Sequence, residues 1–212
     1  MDYEIIIISN RPHLSQEAQA CLGDLNKRIF NGTNYPSFSK IVNDAIASSL
    51  HEQIIICNDK ARPTYAAVEK ILTMLKAGWG LVGLYRFGFF GFKKDLIRKI
   101  GFFDEGFIGG GYEDNDFIWR LKEANISFYE SQEIDYIYLP TSWNYEKSNF
   151  SRNHFYEKWK EEGNVITRLL PEKKYQYDIG PFQNSRFSEF SQSILLPYNL
   201  RLKDMIMNNH KG

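Results

Sequence analysis

Four consecutive isoleucines, Ile5 to Ile8, limit what this chain can fold into. An unalternated β-branched run has no side suited to water, so residues 4–9 read as a strand buried on both faces, as in a parallel sheet covered by helices. The run ends in the loop Asn10-Arg11-Pro12, after which Ser15 reads as the N-cap of a helix to about residue 25. Residues 28–30 predict a short second strand, closed by Asn31-Gly32-Thr33-Asn34. A helix from residue 37 or 38 to 50 places Phe38, Ile41, Val42, Ala45, Ile46 and Ser49 on one face. Residues 53–57 form a third buried strand, ending in Asn58-Asp59-Lys60-Ala61-Arg62-Pro63. This β-α-β-α-β order predicts a doubly wound α/β sheet, whose ligands sit at the carboxyl ends of the strands.

The second half continues the alternation less regularly. A helix is expected over 64–76, strands over 80–85 and 87–92, a helix over 93–100 and strands over 126–130 and 135–139. Beyond residue 140 the chain is polar and aromatic, with a helix around 153–161, an extended stretch over 175–193 and a terminal helix over 200–207. The 212 residues fit one domain, divided into two halves (1–86 and 87–165) and a C-terminal extension (166–212). Lys+Arg 26 balances Asp+Glu 26, so no net field draws the chain to nucleic acid or an anionic membrane. No apolar run approaches the ~20 residues that span a bilayer, and Asp2 and Glu4 do not make a basic leader. With only Cys21 and Cys57, no disulfide framework or zinc site is indicated, and a soluble, cytoplasmic setting is the simplest expectation.

The chemistry concentrates in residues 103–125. Phe103-Asp104-Glu105-Gly106-Phe107 and Ile108 lead into Gly109, Gly110 and Gly111, then into Tyr112-Glu113-Asp114-Asn115-Asp116 and a helical run from Phe117. Three carboxylates in four positions repel one another unless a cation, a metal or a substrate compensates, and the glycines let a ligand approach the backbone. A plain helix N-terminus also welcomes acids, and Asp116 has Arg120 at i,i+4 as a structural partner. The glycine and terminal glutamate of a calcium loop are missing. Neither Gly-x-Gly-x-x-Gly after the first strand nor a Gly-x-x-x-x-Gly-Lys-Ser/Thr loop is present, which disfavours dinucleotide and NTPase folds. Trp79, Trp119, Trp143 and Trp159 read as core, Trp143 being the one whose polar neighbours suit a sugar platform.

With these two acidic loops in view, the chain resembles the GT-A-fold glycosyltransferases of the large inverting family that includes rhamnosyltransferase-like enzymes. Residues 38–46 with Asn58-Asp59-Lys60-Ala61-Arg62-Pro63 are similar to that family's helix and aspartate metal loop, and residues 91–94, 101–107 and 113–121 to its second signature. The resemblance covers roughly residues 4–130 and extends to the small GT-A domains that algal viruses use to glycosylate their capsid protein. It implies transfer of a sugar from a nucleotide sugar, most often UDP-linked, to a hydroxyl of a glycan or glycoprotein, a viral capsid protein among them. Asp114 then stands as the base that takes the acceptor's proton, with Glu113 beside it. Donor contacts fall on Asn10, Arg11, Pro12, Asn31, Lys40, Asn58, Asp59 and Lys60, and the acceptor side on Gly110, Gly111, Tyr112 and Trp143. Asp59, with His154 completing the site, is the expected ligand for Mn²⁺ or Mg²⁺, whose charge would stabilise the leaving diphosphate. Lys60 stands where the pattern usually has a second aspartate, so Lys60 itself neutralising the diphosphate is the other reading. A non-catalytic nucleotide-sugar-binding module and a nucleotidyltransferase are the alternatives. The latter would want a Gly-rich, Arg-containing loop after the first strand, which Asn10-Arg11-Pro12 does not supply.

Overall fold

The computed structural model describes residues 2–85, 87–108, 111–131, 135–136 and 145–159, with side chains from residue 135 onward described only at 149–155 and 158. Gly109, Gly110, Trp143, the Trp159 side chain, residues 137–139 of an expected strand and everything expected beyond 160 lie outside the described residues. The first half runs β1 (Tyr3–Ser9), α1 (Pro12–Cys21), β2 (Lys27–Asn31), α2 (Phe38–Ser48), β3 (Gln53–Asn58), β4 (Ala61–Arg62) and α3 (Tyr65–Lys76). It continues with β5 (Leu81–Gly83), β6 (Phe89–Lys93), α4 (Lys94–Ile100), α5 (Glu113–Glu123), β7 (Phe128–Glu130), β8 (Asp135–Tyr136) and α6 (Tyr145–Trp159).

Six strands form one sheet in the order β2-β1-β3-β6-β5-β7. β1 lies between β2 and β3, parallel to both, with Ile7 opposite Ile29 on one side and Cys57 on the other. β6 runs antiparallel to β3 and β5, while β7 is parallel to β5, so β6 alone is reversed and the sheet is mixed but mostly parallel. The few residues between β5 and β6 are too short for a crossover, which forces the hairpin. The isoleucine run behaves as its composition demands. Ile6 and Ile8 pack on the face covered by α2, α4 and α5, and Ile5 and Ile7 on the face covered by α1 and α3. All four are at most 5% exposed, so the strand has no solvent side.

Three local expectations are corrected. Helix α1 begins at Pro12, not after Ser15, because proline's fixed φ and missing N–H suit the first helical position; Ser15 is buried and its hydroxyl donates to the Pro12 carbonyl at 2.9 Å. Helix α6 starts at Tyr145, well before residue 153, since its polar sequence shows no apolar stripe to mark the start. The stretch after Asn58, expected as loop, contains β4, which pairs antiparallel with β8 through Ala61–Tyr136 and Arg62–Asp135. Thr64 and Ser37, by contrast, cap α3 and α2 by accepting the N–H groups of Ala67 and Lys40. Cys57 is buried, and burial pushes its thiol pKa up; Cys21 is exposed, and both are free thiols.

Candidate active site

Because β1, β2 and β3 are parallel, their carboxyl ends at Ser9, Asn31 and Asn58 open on one edge of the sheet. The chain turns tightly there: Gly32 N–H donates to the Ser9 carbonyl at 2.7 Å, and Asp59 N–H to that of Ile8 at 3.2 Å. A cavity of about 300 Å³ sits at this edge, lined by Asn10, Arg11, Asn58 and Asp59 on its polar side and by Tyr35, Phe38, Ile41 and Ile108 on its apolar side. A Cβ at Gly32 would lie 2.3 Å from Ile41 Cδ1, so the terminal methyl of Ile41 occupies the space beside this glycine. An adjoining cleft of about 220 Å³ shares Asn10 and Arg11 and adds Pro12 and Asn31.

The electrostatic centre of the cavity is Asp59, only 1% exposed. Its Oδ2 accepts from Ser9 Oγ at 2.6 Å and from Arg11 Nε at 3.0 Å, and Arg11 Nη2 reaches Oδ1. Behind it, Arg62 Nη1 donates to the Asp59 carbonyl at 2.7 Å, fixing the turn from the far side. Lys60 completes a cluster of opposite charges: burial first, then Arg11, pulls its pKa below the ordinary lysine value, and Asp59 works against that. The Asn31 side-chain oxygen Oδ1 accepts the Thr33 N–H and hydroxyl, so it shapes the turn after β2 as well as the cleft. Lys40 is different. Its ammonium binds both oxygens of Asp44 at 2.6 Å, one turn along α2, which makes it a helix ion pair.

The acidic stretch forms the first turn of α5. Tyr112 precedes it in the left-handed region at φ 72°, directly after Gly111 at φ 86°. A bulky residue in that region costs on the order of 1–3 kcal/mol and is held only by its surroundings. Glu113, Asp114 and Asp116 share this turn, where the helix dipole favours negative charge. Asp114 is 7% exposed, and its Oδ1 accepts the Asn115 N–H at 2.9 Å. Asp116 is fully buried and pairs with Arg120 at 2.9 Å, as its spacing predicts. Arg120 Nη1 also donates to the carbonyls of Ile100 and Phe102 at 2.7 Å each, tying α5 to the end of α4. Ile108, in the cavity wall, stands five positions before Glu113 in the chain.

Several positioning residues carry no local sequence signal as individual functional groups. Asn43 is buried in α2, where it donates to the Phe103 carbonyl at 2.8 Å and to Glu105 Oε1 at 2.9 Å, and accepts the Phe103 N–H at 2.9 Å. One amide therefore clasps the loop that carries Asp104. His154 does not share a described contact with Asp59; its Nε2 lies 3.1 Å from Asp104 Oδ2 and its ring meets Phe107 edge-on at 4.7 Å. The same Asp104 oxygen accepts from Lys158 at 2.7 Å, while Oδ1 accepts the Gly106 N–H at 2.8 Å. Burial alone would raise the Asp104 carboxyl, but His154, Lys158 and the Gly106 N–H outweigh it and hold the pKa well below the usual carboxylate range.

A divalent ion can be tested against this donor set. A carboxylate offers about four lone-pair positions, and hydrogen bonds from Ser9 and Arg11 take three of those on Asp59, leaving one. Among the described residues no group of three or more His, Cys, Asp or Glu side chains could hold an ion. Asp59 therefore fits the mode in which Mg²⁺-like ions take one carboxylate and complete their shell with phosphate and water, not a closed protein cage.

No protein-family model and no curated protein sequence matches the chain. Two solved structures of Drosophila β1,4-galactosyltransferase 7 share its architecture. One is the catalytic domain in complex with xylobiose, at TM-score 0.54 and 12% identity, with 72% of this chain and 80% of the other aligned. The other is an Asp-to-Asn mutant in complex with manganese, UDP-Gal and xylobiose, at TM-score 0.52 and 11% identity, covering 69% and 79%. With its six-stranded mixed sheet flanked by helices on both faces, the chain has the GT-A fold of these glycosyltransferase structures.

Proposed function

We propose that this chain transfers a sugar, with inversion, from a nucleotide sugar, most simply UDP-linked, to a hydroxyl of a glycan or glycoprotein. The observation that carries the reading is the position of the Arg11–Asp59 ion pair, which lines a cavity at the carboxyl ends of β1–β3 of a GT-A fold, with Lys60 next in the chain and electrostatically coupled to both. The aromatic and apolar wall of Tyr35, Phe38 and Ile41 suits the nucleoside base, with Asn10, Asn31 and Asn58 offering polar contacts to base and ribose. Arg11 and Lys60 counter the negative charge that grows on the diphosphate as the bond from its oxygen to the anomeric carbon breaks. A Mn²⁺ or Mg²⁺ ion held by Asp59 would add a Lewis acid at the same diphosphate. Support for the ion comes from the neighbour crystallised with manganese and UDP-Gal.

For the acceptor, Asp114 takes the proton of the attacking hydroxyl and Glu113 orients the acceptor, with Gly111 and Tyr112 leading into the helix turn that carries both. The neighbours' xylobiose supports a glycan acceptor. Removing a general base costs typically 10²–10⁴-fold in rate, so Asp114→Asn is expected to lower kcat by about 10²-fold or more while donor affinity stays within about threefold. Nucleoside diphosphate release from a panel of nucleotide sugars, with glycan, glycoprotein and viral capsid acceptors, is the assay. Unchanged turnover in the Asp114→Asn protein would remove Asp114 from the chemistry. Donor binding without turnover in the native chain would make it a binding module.

A further inference from the structure

Tyr112, directly before the helix turn that carries the proposed base, is held in a left-handed conformation it would leave if released. Something outside the loop must fix it. The Lys158 ammonium, from α6, lies 2.7 Å from Asp104 Oδ2 and 2.5 Å from Asp116 Oδ1, with its side chain 2% exposed. Asp104 precedes the glycine run and Asp116 follows it, so one cation spans both ends of the loop that presents Asp114. Arg120 extends the chain of charges from Asp116 to the α4 end. Helix α6 is seated over the loop by further contacts: Phe155 packs against Tyr112 at 5.7 Å and Trp119 at 6.4 Å, and a Cβ at Gly106 would lie 2.6 Å from His154 Nε2.

We propose that Lys158 and Asp104 are positioning residues that staple the Asp104 turn to the first turn of α5 and set where the Asp114 carboxylate stands. This rests on Asp114 being the base. Without Lys158, Asp104 retains His154 and the Gly106 N–H and Asp116 retains Arg120, but the direct tie between the Asp104 turn and the first turn of α5 is lost, and Asp114 shifts with that turn. A displacement of about 1 Å in a reacting group costs on the order of 10²-fold in rate, without touching the donor cavity.

The test compares native protein with Lys158→Met, Lys158→Arg and Asp104→Asn, in backbone hydrogen exchange, UDP affinity and turnover. Lys158→Met is expected to raise exchange about tenfold or more at residues 106–116 with β1–β3 unchanged. Its kcat should fall about 10²-fold while UDP affinity holds within about threefold, and Lys158→Arg, which restores the bridging charge, should return to within about tenfold of native. The proposal is overturned if Lys158→Met keeps native kcat, loses UDP affinity in step with kcat, or loosens the whole sheet equally. Should Lys158→Met not fold, Asp104→Asn, which keeps a polar side chain and removes one carboxylate, is scored by the same criteria. If the native protein turns over no nucleotide sugar, the glycosyltransferase reading fails while local exchange at 106–116 still decides whether the staple exists.

Discussion

Replacing Arg120 with alanine tests how α5, and with it Asp114, is held. The Arg120 side chain is 4% exposed and its partner Asp116 is fully buried. Its loss leaves a buried carboxylate with Lys158 at 2.5 Å as a remaining counterion, which puts the ion-pair cost at the low end of the usual range, about 3 kcal/mol. The carbonyls of Ile100 and Phe102 each lose a 2.7 Å hydrogen bond; water entering the vacated space limits that to about 1 kcal/mol apiece. The total is about 5 kcal/mol, against a typical whole-domain stability of roughly 5–15 kcal/mol. For a chain of this size that corresponds to a fall in Tm of about 10–20 °C. The matched control is Arg98→Ala, whose ion pairs to Asp95 at 3.4 Å and Glu52 at 3.6 Å are exposed and should cost less than about 0.5 kcal/mol. Urea unfolding of the three proteins decides it. If Arg120→Ala lies within about 1 kcal/mol of native, or matches Arg98→Ala, the strut is not there.

Three further outcomes follow from the same geometry. Arg11→Gln should weaken UDP binding about tenfold or more, because the cavity loses its main cation while the Asp59 charge keeps only the Ser9 hydroxyl and the nearby Lys60 of the partners described above, whereas Lys40→Gln should leave it within about twofold; titration calorimetry reads both. Asp104 titrates below its ordinary 3.8 in the folded chain, so its stabilising contribution is complete above about pH 5 and drains away as pH falls through that ordinary value toward the folded one. Native protein should therefore lose more stability than Asp104→Asn between about pH 5 and pH 2, and equal acid limbs in urea unfolding would contradict the assignment. Gly32→Ala places a Cβ 2.3 Å from Ile41 Cδ1, the far end of a side chain in the cavity wall, so it should cost no more than about 1.5 kcal/mol as that methyl turns aside; a loss above about 3 kcal/mol in urea unfolding would mean that the wall cannot give.

The parts of the fold that the sequence makes legible are those set by short-range physics. The isoleucines of β1 and the strand over 53–57 have nowhere to go but a sheet covered on both sides, and Asn10, Arg11, Asn58 and Asp59 follow from being at the ends of those strands. What could not be read depends on long-range partners. Lys158 meets Asp104 across 54 positions, from a helix whose polar sequence carries no stripe to announce its packing. The pairing of β4 with β8 involves two residues on each side and no recognisable pattern. Arg11 was legible as a strand-end polar residue but not as the clamp on Asp59, because a guanidinium offers donors in several directions and only the fold selects among them. Pro12 overrode Ser15 for a local reason, that a ring with fixed φ starts a helix without needing a capping hydroxyl.

The most direct test of the central claim is release of nucleoside diphosphate by the native protein from a panel of nucleotide sugars, with Mn²⁺ or with EDTA, beside a thermal-shift readout. The account predicts that at least one UDP-linked sugar raises the melting temperature and is turned over in the presence of acceptor, with Mn²⁺ accelerating turnover by acting at Asp59. A panel in which no nucleotide sugar shifts the melting curve or yields nucleoside diphosphate, under either condition, contradicts it.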